Sequence, residues 1–76
     1  MSDLPLLKAR EFIKILNRLG FQKIHQKGSH AFFAHSDGRT TVIPVHPKKQ
    51  IGKGLLRSIL RDIQISPEEF KKLIRQ

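Results

Sequence analysis

Apolar residues return at Ala9, Phe12, Ile13, Leu16 and Leu19, spaced i, i+3, i+4, i+7 and i+10. That spacing is one face of an α-helix. Lys8, Arg10, Glu11, Lys14, Asn17 and Arg18 fall largely outside the stripe. Gly20 follows at once and suits the left-handed position beyond a helix end, with Arg18 in the last turn. Residues 1–7 read as a short lead-in, in which Pro5 fixes one backbone angle.

The period then changes. Residues 21–27 form a first extended segment, the least regular, broken by Gly28-Ser29. Residues 30–35 are compact and apolar through Ala31, Phe32, Phe33 and Ala34. Ser36-Asp37-Gly38 signals a turn, and residues 39–44 return with the β-formers Thr40, Thr41, Val42 and Ile43. Two short runs flanking Asp-Gly predict a β-hairpin. Pro44 lacks an amide donor and marks a strand end or an edge. Phe32 and Phe33 are consecutive, so they point to opposite faces and one of them belongs to the core. Residues 45–54 read as a loop.

A second helix is predicted over residues 54–62, with Leu55, Leu56, Ile59, Leu60 and Ile63 as its apolar face. Lys53, Arg57 and Arg61 recur every four residues and form a basic stripe along it. The last helix has the clearest start. Ser66-Pro67-Glu68-Glu69 places Ser66 at the N-cap, Pro67 at the first helical position and Glu69 two residues on, a capping box. Phe70, Leu73 and Ile74 then face inward. The order is helix, three strands, helix, short helix. It predicts an α+β two-layer sandwich with a three-stranded antiparallel sheet and helices on one face.

Composition narrows the class. Seventy-six residues, 38% of them hydrophobic, make one small globular domain, 1–76. There are no cysteines, so neither disulfides nor thiolate ligands contribute. No HxxxH or CxxC spacing occurs, and no metal site or cofactor is expected. No apolar run approaches the ~18 residues that span a bilayer, and no secretory leader is visible, which favours the cytoplasm. The formal net charge is +9, from 15 Lys and Arg against 6 Asp and Glu. That balance favours a polyanionic partner, nucleic acid first, over a merely solubilising surface.

An amphipathic helix ending in Leu19-Gly20-Phe21 is followed in order by Gly28-Ser29-His30, aromatic residues and the Asp37-Gly38 turn. Pro44-Val45-His46 and Lys53-Gly54-Leu55-Leu56-Arg57-Ser58-Ile59-Leu60 complete the series. In that order and spacing, over residues 8–63, the chain resembles the HicA (YcfA-like) toxin family. The resemblance implies a fold like a double-stranded-RNA-binding domain. It implies the toxin of a type II toxin–antitoxin pair, an endoribonuclease that cleaves mRNA without a metal, blocks translation and is neutralised by a HicB-type antitoxin. The family's catalytic histidine maps onto His30.

The chemistry of the turn is coherent with that role. RNA is cut without metal when a base takes the 2′-hydroxyl proton and an acid protonates the leaving 5′-oxygen. An imidazole, with an unperturbed pKa of about 6.5, suits either task. Gly28 lets backbone approach a phosphate, Ser29 offers a donor and Lys27 adds charge. His46 is a second candidate, for proton transfer or phosphate contact, with a turn-shaping role equally open. His25 and His35 read as surface strand residues. Lys27, Lys48, Lys49, Lys53, Arg57 and Arg61 are the candidate RNA-binding cations, against the plainer reading of a solvated helix face. Two other functions stay open: a non-catalytic RNA-binding module of the same fold, and a protein that binds an operator jointly with an antitoxin.

Overall fold

The computed structural model describes residues 7–46 and 50–74. Its first helix, α1 (Ala9–Arg18), follows a two-residue strand, β1 (Leu7–Lys8). The Lys8 amide donates to the Glu11 carboxylate at 3.0 Å, which satisfies one donor at the helix start. Phe12, Ile15 and Leu16 are buried along the inner face. At the other end the Phe21 amide donates to the Leu16 carbonyl at 2.9 Å and the Gly20 amide to the Asn17 carbonyl at 3.1 Å. Gly20 has φ +98°. This is the paired-bond helix end that the sequence predicts.

The three long strands are β2 (Gln22–Lys27), β3 (His30–Ala34) and β4 (Thr40–Pro44). They form one antiparallel sheet in the order β2-β3-β4. Pro44 ends β4, an edge strand, where its missing donor disturbs no ladder. Ala31, Phe33, Thr41 and Ile43 point inward and are buried, so Phe33 is the core phenylalanine. His30, Phe32, Val42 and Pro44 alternate onto the other face. Two helices complete the inner layer, α2 (Lys53–Ile63) and α3 (Pro67–Ile74). Leu56, Ile59, Leu60 and Ile63 of α2 join Phe12, Leu16, Phe21 and Phe70 in one buried cluster. In α3, the Ser66 hydroxyl accepts the Glu69 amide at 3.1 Å, the forward bond of the predicted capping box.

The α+β layout is therefore the expected one, with differences in detail. Residues 45–54 are not all loop. Gln50–Ile51 form a further strand, β5, which pairs antiparallel with β1 through Leu7↔Ile51 and Lys8↔Gln50. Leu55 is 38% exposed, because the buried stripe of α2 runs through Leu56, Ile59, Leu60 and Ile63 and leaves it at the flank. α2 ends on Gln64 at φ 59°, a left-handed position held without glycine.

His35 also departs from expectation, because it is half-buried rather than fully exposed. Its Nε2 lies 3.1 Å from the Leu19 carbonyl, and its Nδ1 accepts the Asp37 amide at 3.1 Å. With the Asp37 bond occupying Nδ1, the Nε2 proton donates to Leu19. Its ring meets Phe21 edge-on at 5.1 Å. A Cβ added at Gly20 would lie 2.9 Å from His35 Nε2, whereas one added at Gly38 meets nothing within 4 Å. Both glycines have positive φ. Gly20→Ala is therefore expected to destabilise the fold by about 1–3 kcal/mol for strain alone, and by more than Gly38→Ala. Urea unfolding of the two variants measures the difference, and equal losses would show that His35 yields.

Arg39 ties the sheet to α2. Its Nη1 donates to the Ile63 carbonyl at 2.6 Å, its Nε to Asp37 at 2.8 Å, and its guanidinium sits 5.1 Å from the Phe21 ring centre. The Arg39 amide bound to Asp37 is the leading cause that lowers that carboxyl below its ordinary value.

Candidate functional site

β2 and β3 are joined by two residues, Gly28 and Ser29. Gly28 has φ +58° and Ser29 a negative φ, the pattern of a type II′ turn, whose twist matches that of the strands. No atom lies within 4 Å of a Cβ built at Gly28. The glycine is thus required by the turn, and the space outside it is open to a phosphate. The turn closes on the pair Lys27↔His30. Ala31 is fully buried, so the preceding His30 points away from the helices, exposed on the open sheet face. Lys27 stands directly across from it on the same face, within the reach of cross-strand neighbours.

The neighbouring strand brings the second candidate to the same end. His30 pairs with Pro44. One residue further, the Val45 amide donates to the Ser29 carbonyl at 2.6 Å. The ladder therefore continues past Pro44 and carries His46 alongside the turn. His46 is exposed and lines a groove of about 640 Å³ with the first turns of α1, where Lys8, Arg10, Lys14, Glu11 and Ile13 form the other wall. These three cations were not singled out by sequence reasoning. Helical periodicity placed them off the apolar stripe but gave no sign that His46 would face them.

The basic stripe lies elsewhere. Lys53, Arg57 and Arg61 are exposed along α2, whose opposite side is buried. Near its C-terminal end, Asp62 accepts the Thr41 hydroxyl at 3.1 Å, and Arg39 reaches the Ile63 carbonyl. α2 thus runs antiparallel to β4. Lys53 comes to the His30 end, and Arg61 lies one helix length, roughly 12 Å, away. Lys48 and Lys49 fall outside the described residues. The structure therefore gathers Lys27, Gly28, Ser29, His30, His46 and Lys53 at one end, and spreads Arg57 and Arg61 along the other layer.

His25 is exposed, as expected, but it is not isolated. It pairs with Phe32 across the sheet, and the two ring centres are 5.6 Å apart. The pairing skips Ile24, because the register shifts between Lys23 and His25. Among the described residues, no group of three or more His, Cys, Asp or Glu is placed to hold a metal ion. No described helix is long and apolar enough to cross a membrane.

Comparison with known proteins gives two findings. A family model described as the HicA toxin of bacterial toxin–antitoxin systems matches residues 9–65. A protein of Pseudomonas fluorescens (strain Pf0-1), named probable mRNA interferase HicA, is 37% identical over 57 residues, covering 75% of this chain and 93% of that relative.

Proposed function

The chain belongs to the HicA toxin family, and from that premise we propose that it is a toxin endoribonuclease that cuts mRNA at the Gly28-Ser29-His30 turn and so blocks translation. The observation that carries this reading is the pair at the turn: an exposed imidazole on the open sheet face, on the residue paired across the ladder with Lys27. His30 transfers a proton in the reaction. The 2′-oxygen loses its proton and bonds to the adjacent phosphorus, the bond from phosphorus to the 5′-oxygen breaks, and that oxygen gains a proton. The products are a 2′,3′-cyclic phosphate and a 5′-hydroxyl. Charge that builds on the phosphoryl oxygens meets Lys27 and donors of the turn, including Ser29. His46 stands beside the turn as the second proton carrier or as a phosphate contact. Lys53 guides the strand from the same end, with Lys48, Lys49, Arg57 and Arg61 attracting RNA over a longer range.

Among the described residues, the side chains of the turn and its closing pair, Lys27, Ser29 and His30, supply an amine, a hydroxyl and an imidazole and no carboxylate. This donor set suits proton transfer and charge stabilisation, so the reaction proceeds without a metal. A HicB-type antitoxin neutralises the toxin by covering this end. The chain works as a single domain in the cytoplasm.

The test is a cleavage assay with purified protein and a labelled single-stranded RNA in excess EDTA. Cleavage to a cyclic phosphate end is the expected result, and a DNA strand of the same sequence should stay intact. Binding without cleavage would overturn the nuclease reading and leave a non-catalytic RNA-binding module.

A further inference from the structure

We infer that the His25–Phe32 ring pair on the open sheet face is a nucleobase seat, which stacks a base of the RNA next to the bond that is cut. The inference rests on the nuclease reading of His30 and adds the place where the substrate's base lies.

Four observations converge on it. First, the pair shares a face with the turn: Lys27↔His30 and His25↔Phe32 are outward pairs of one ladder. His30 and Phe32 are two residues apart on one strand, so they are separated by roughly 6.5 Å along it. That is the scale on which a base stands off from its own phosphate. Second, the rings are aromatic, 5.6 Å apart and tilted by 40°. The core does not use His25, which is exposed, and takes Phe33 in place of Phe32.

Third, the surroundings are both apolar and cationic. Ile24, at the register shift beside His25, is 65% exposed. Val42 lies across from Phe32 on β4. Lys27 and His30 border the patch, in a chain of net charge +9. An apolar floor edged by cations fits single-stranded RNA, which presents flat bases beside phosphates. Fourth, the register shift at Ile24 separates two jobs on one strand. Lys23 pairs with Phe33 on the other face and donates to Gln26 at 2.9 Å, while His25 is kept on the face of His30. Irregularities of this kind re-aim side chains beside sites.

The chain has no Trp or Tyr, so Phe32→Trp introduces a single fluorescent reporter at the seat. The probe is an uncleavable 2′-O-methyl RNA octamer, titrated beside an abasic octamer with the same backbone. The base-bearing probe is expected to quench the new tryptophan, and the abasic probe to leave it unchanged. Phe32→Leu and His25→Ala should each weaken binding of the base-bearing probe roughly 5- to 150-fold, the equivalent of about 1–3 kcal/mol per stacked base. His25→Phe, which has a ring but no proton to move, should recover most of that affinity. On cleavable RNA, Phe32→Leu should raise KM far more than it lowers kcat.

Equal quenching by both probes, or affinities insensitive to Phe32→Leu, would overturn the seat. So would a His25→Phe variant that loses kcat as His25→Ala does, because His25 would then be moving a proton. The two readings fail separately. Quenching by the base-bearing probe without cleavage of ordinary RNA keeps the seat and removes the nuclease. Cleavage with a KM indifferent to Phe32→Leu keeps the nuclease and removes the seat.

Discussion

His30→Ala is expected to yield a folded protein whose kcat for RNA cleavage is lower by about 10²–10⁴-fold, the usual worth of one positioned proton carrier. The fold survives because His30 is exposed at the first position of β3 and no part of the core depends on it. A surface change of this kind moves stability by roughly 0.5 kcal/mol or less. Substrate binding also survives in the main, since Lys27 and the cations of α1 and α2 remain. The loss should therefore appear in kcat, with KM changed little, the mark of an interaction made only as the bond breaks. Thermal unfolding run beside the kinetics separates lost chemistry from lost structure. A variant that still cleaves within a few-fold of the wild type would remove His30 from the reaction. Expression in cells is expected to give the same answer, with growth arrested by the wild type and not by the variant.

Phe70→Ala is expected to give the largest stability loss of the substitutions considered. Phe70 is completely buried and stacks on Phe12 with ring centres 5.2 Å apart. Truncating a buried phenylalanine to alanine removes about 3–5 kcal/mol. A domain of this length holds only roughly 4–11 kcal/mol in total. The substitution consumes at least about a quarter of that and at the upper end all of it, and each kcal/mol lost lowers Tm by roughly 4–8 °C at this size. Phe70 lies in α3, beyond residues 9–65 where the family model matches. The last helix therefore acts as part of the core, clamped also by Arg18, whose guanidinium reaches the Leu73 carbonyl at 3.5 Å. A Tm drop of only a few degrees would show that α3 docks loosely.

Most of the fold was legible because local chemistry and long-range packing agree. Gly20 ends α1 as its position implied, Ser66 caps α3, and Asp37-Gly38 turns β3 into β4. What escaped had no local signature. β1 and β5 pair over two residues each, too short to show alternation, and they meet only through contacts across 44 positions of sequence (Leu7 to Ile51) and 42 (Lys8 to Gln50). Gln64 ends α2 in a conformation that usually announces itself by glycine. His35 is half-buried because Gly20 leaves room for its ring, a relation between two residues 15 apart.

The candidate site divides in the same way. The Lys27–His30 pair follows from a two-residue turn, which dictates what stands opposite what. The nearness of His46 to the turn depends on the Val45–Ser29 hydrogen bond, and that of His25 to Phe32 on strand pairing past an irregular position. Neither can be read from spacing along the chain.

Every residue of β2 is exposed. The strand adds hydrogen bonds to the sheet but no side chain to the interior, so most of its side chains can change for about 0.5 kcal/mol or less. Stability is held by one set of residues, and what this face recognises by another. A library randomised over residues 22–26 should consist mostly of folded proteins. Their differences would lie in which RNA they prefer, and a new preference could be selected without first adding stability elsewhere.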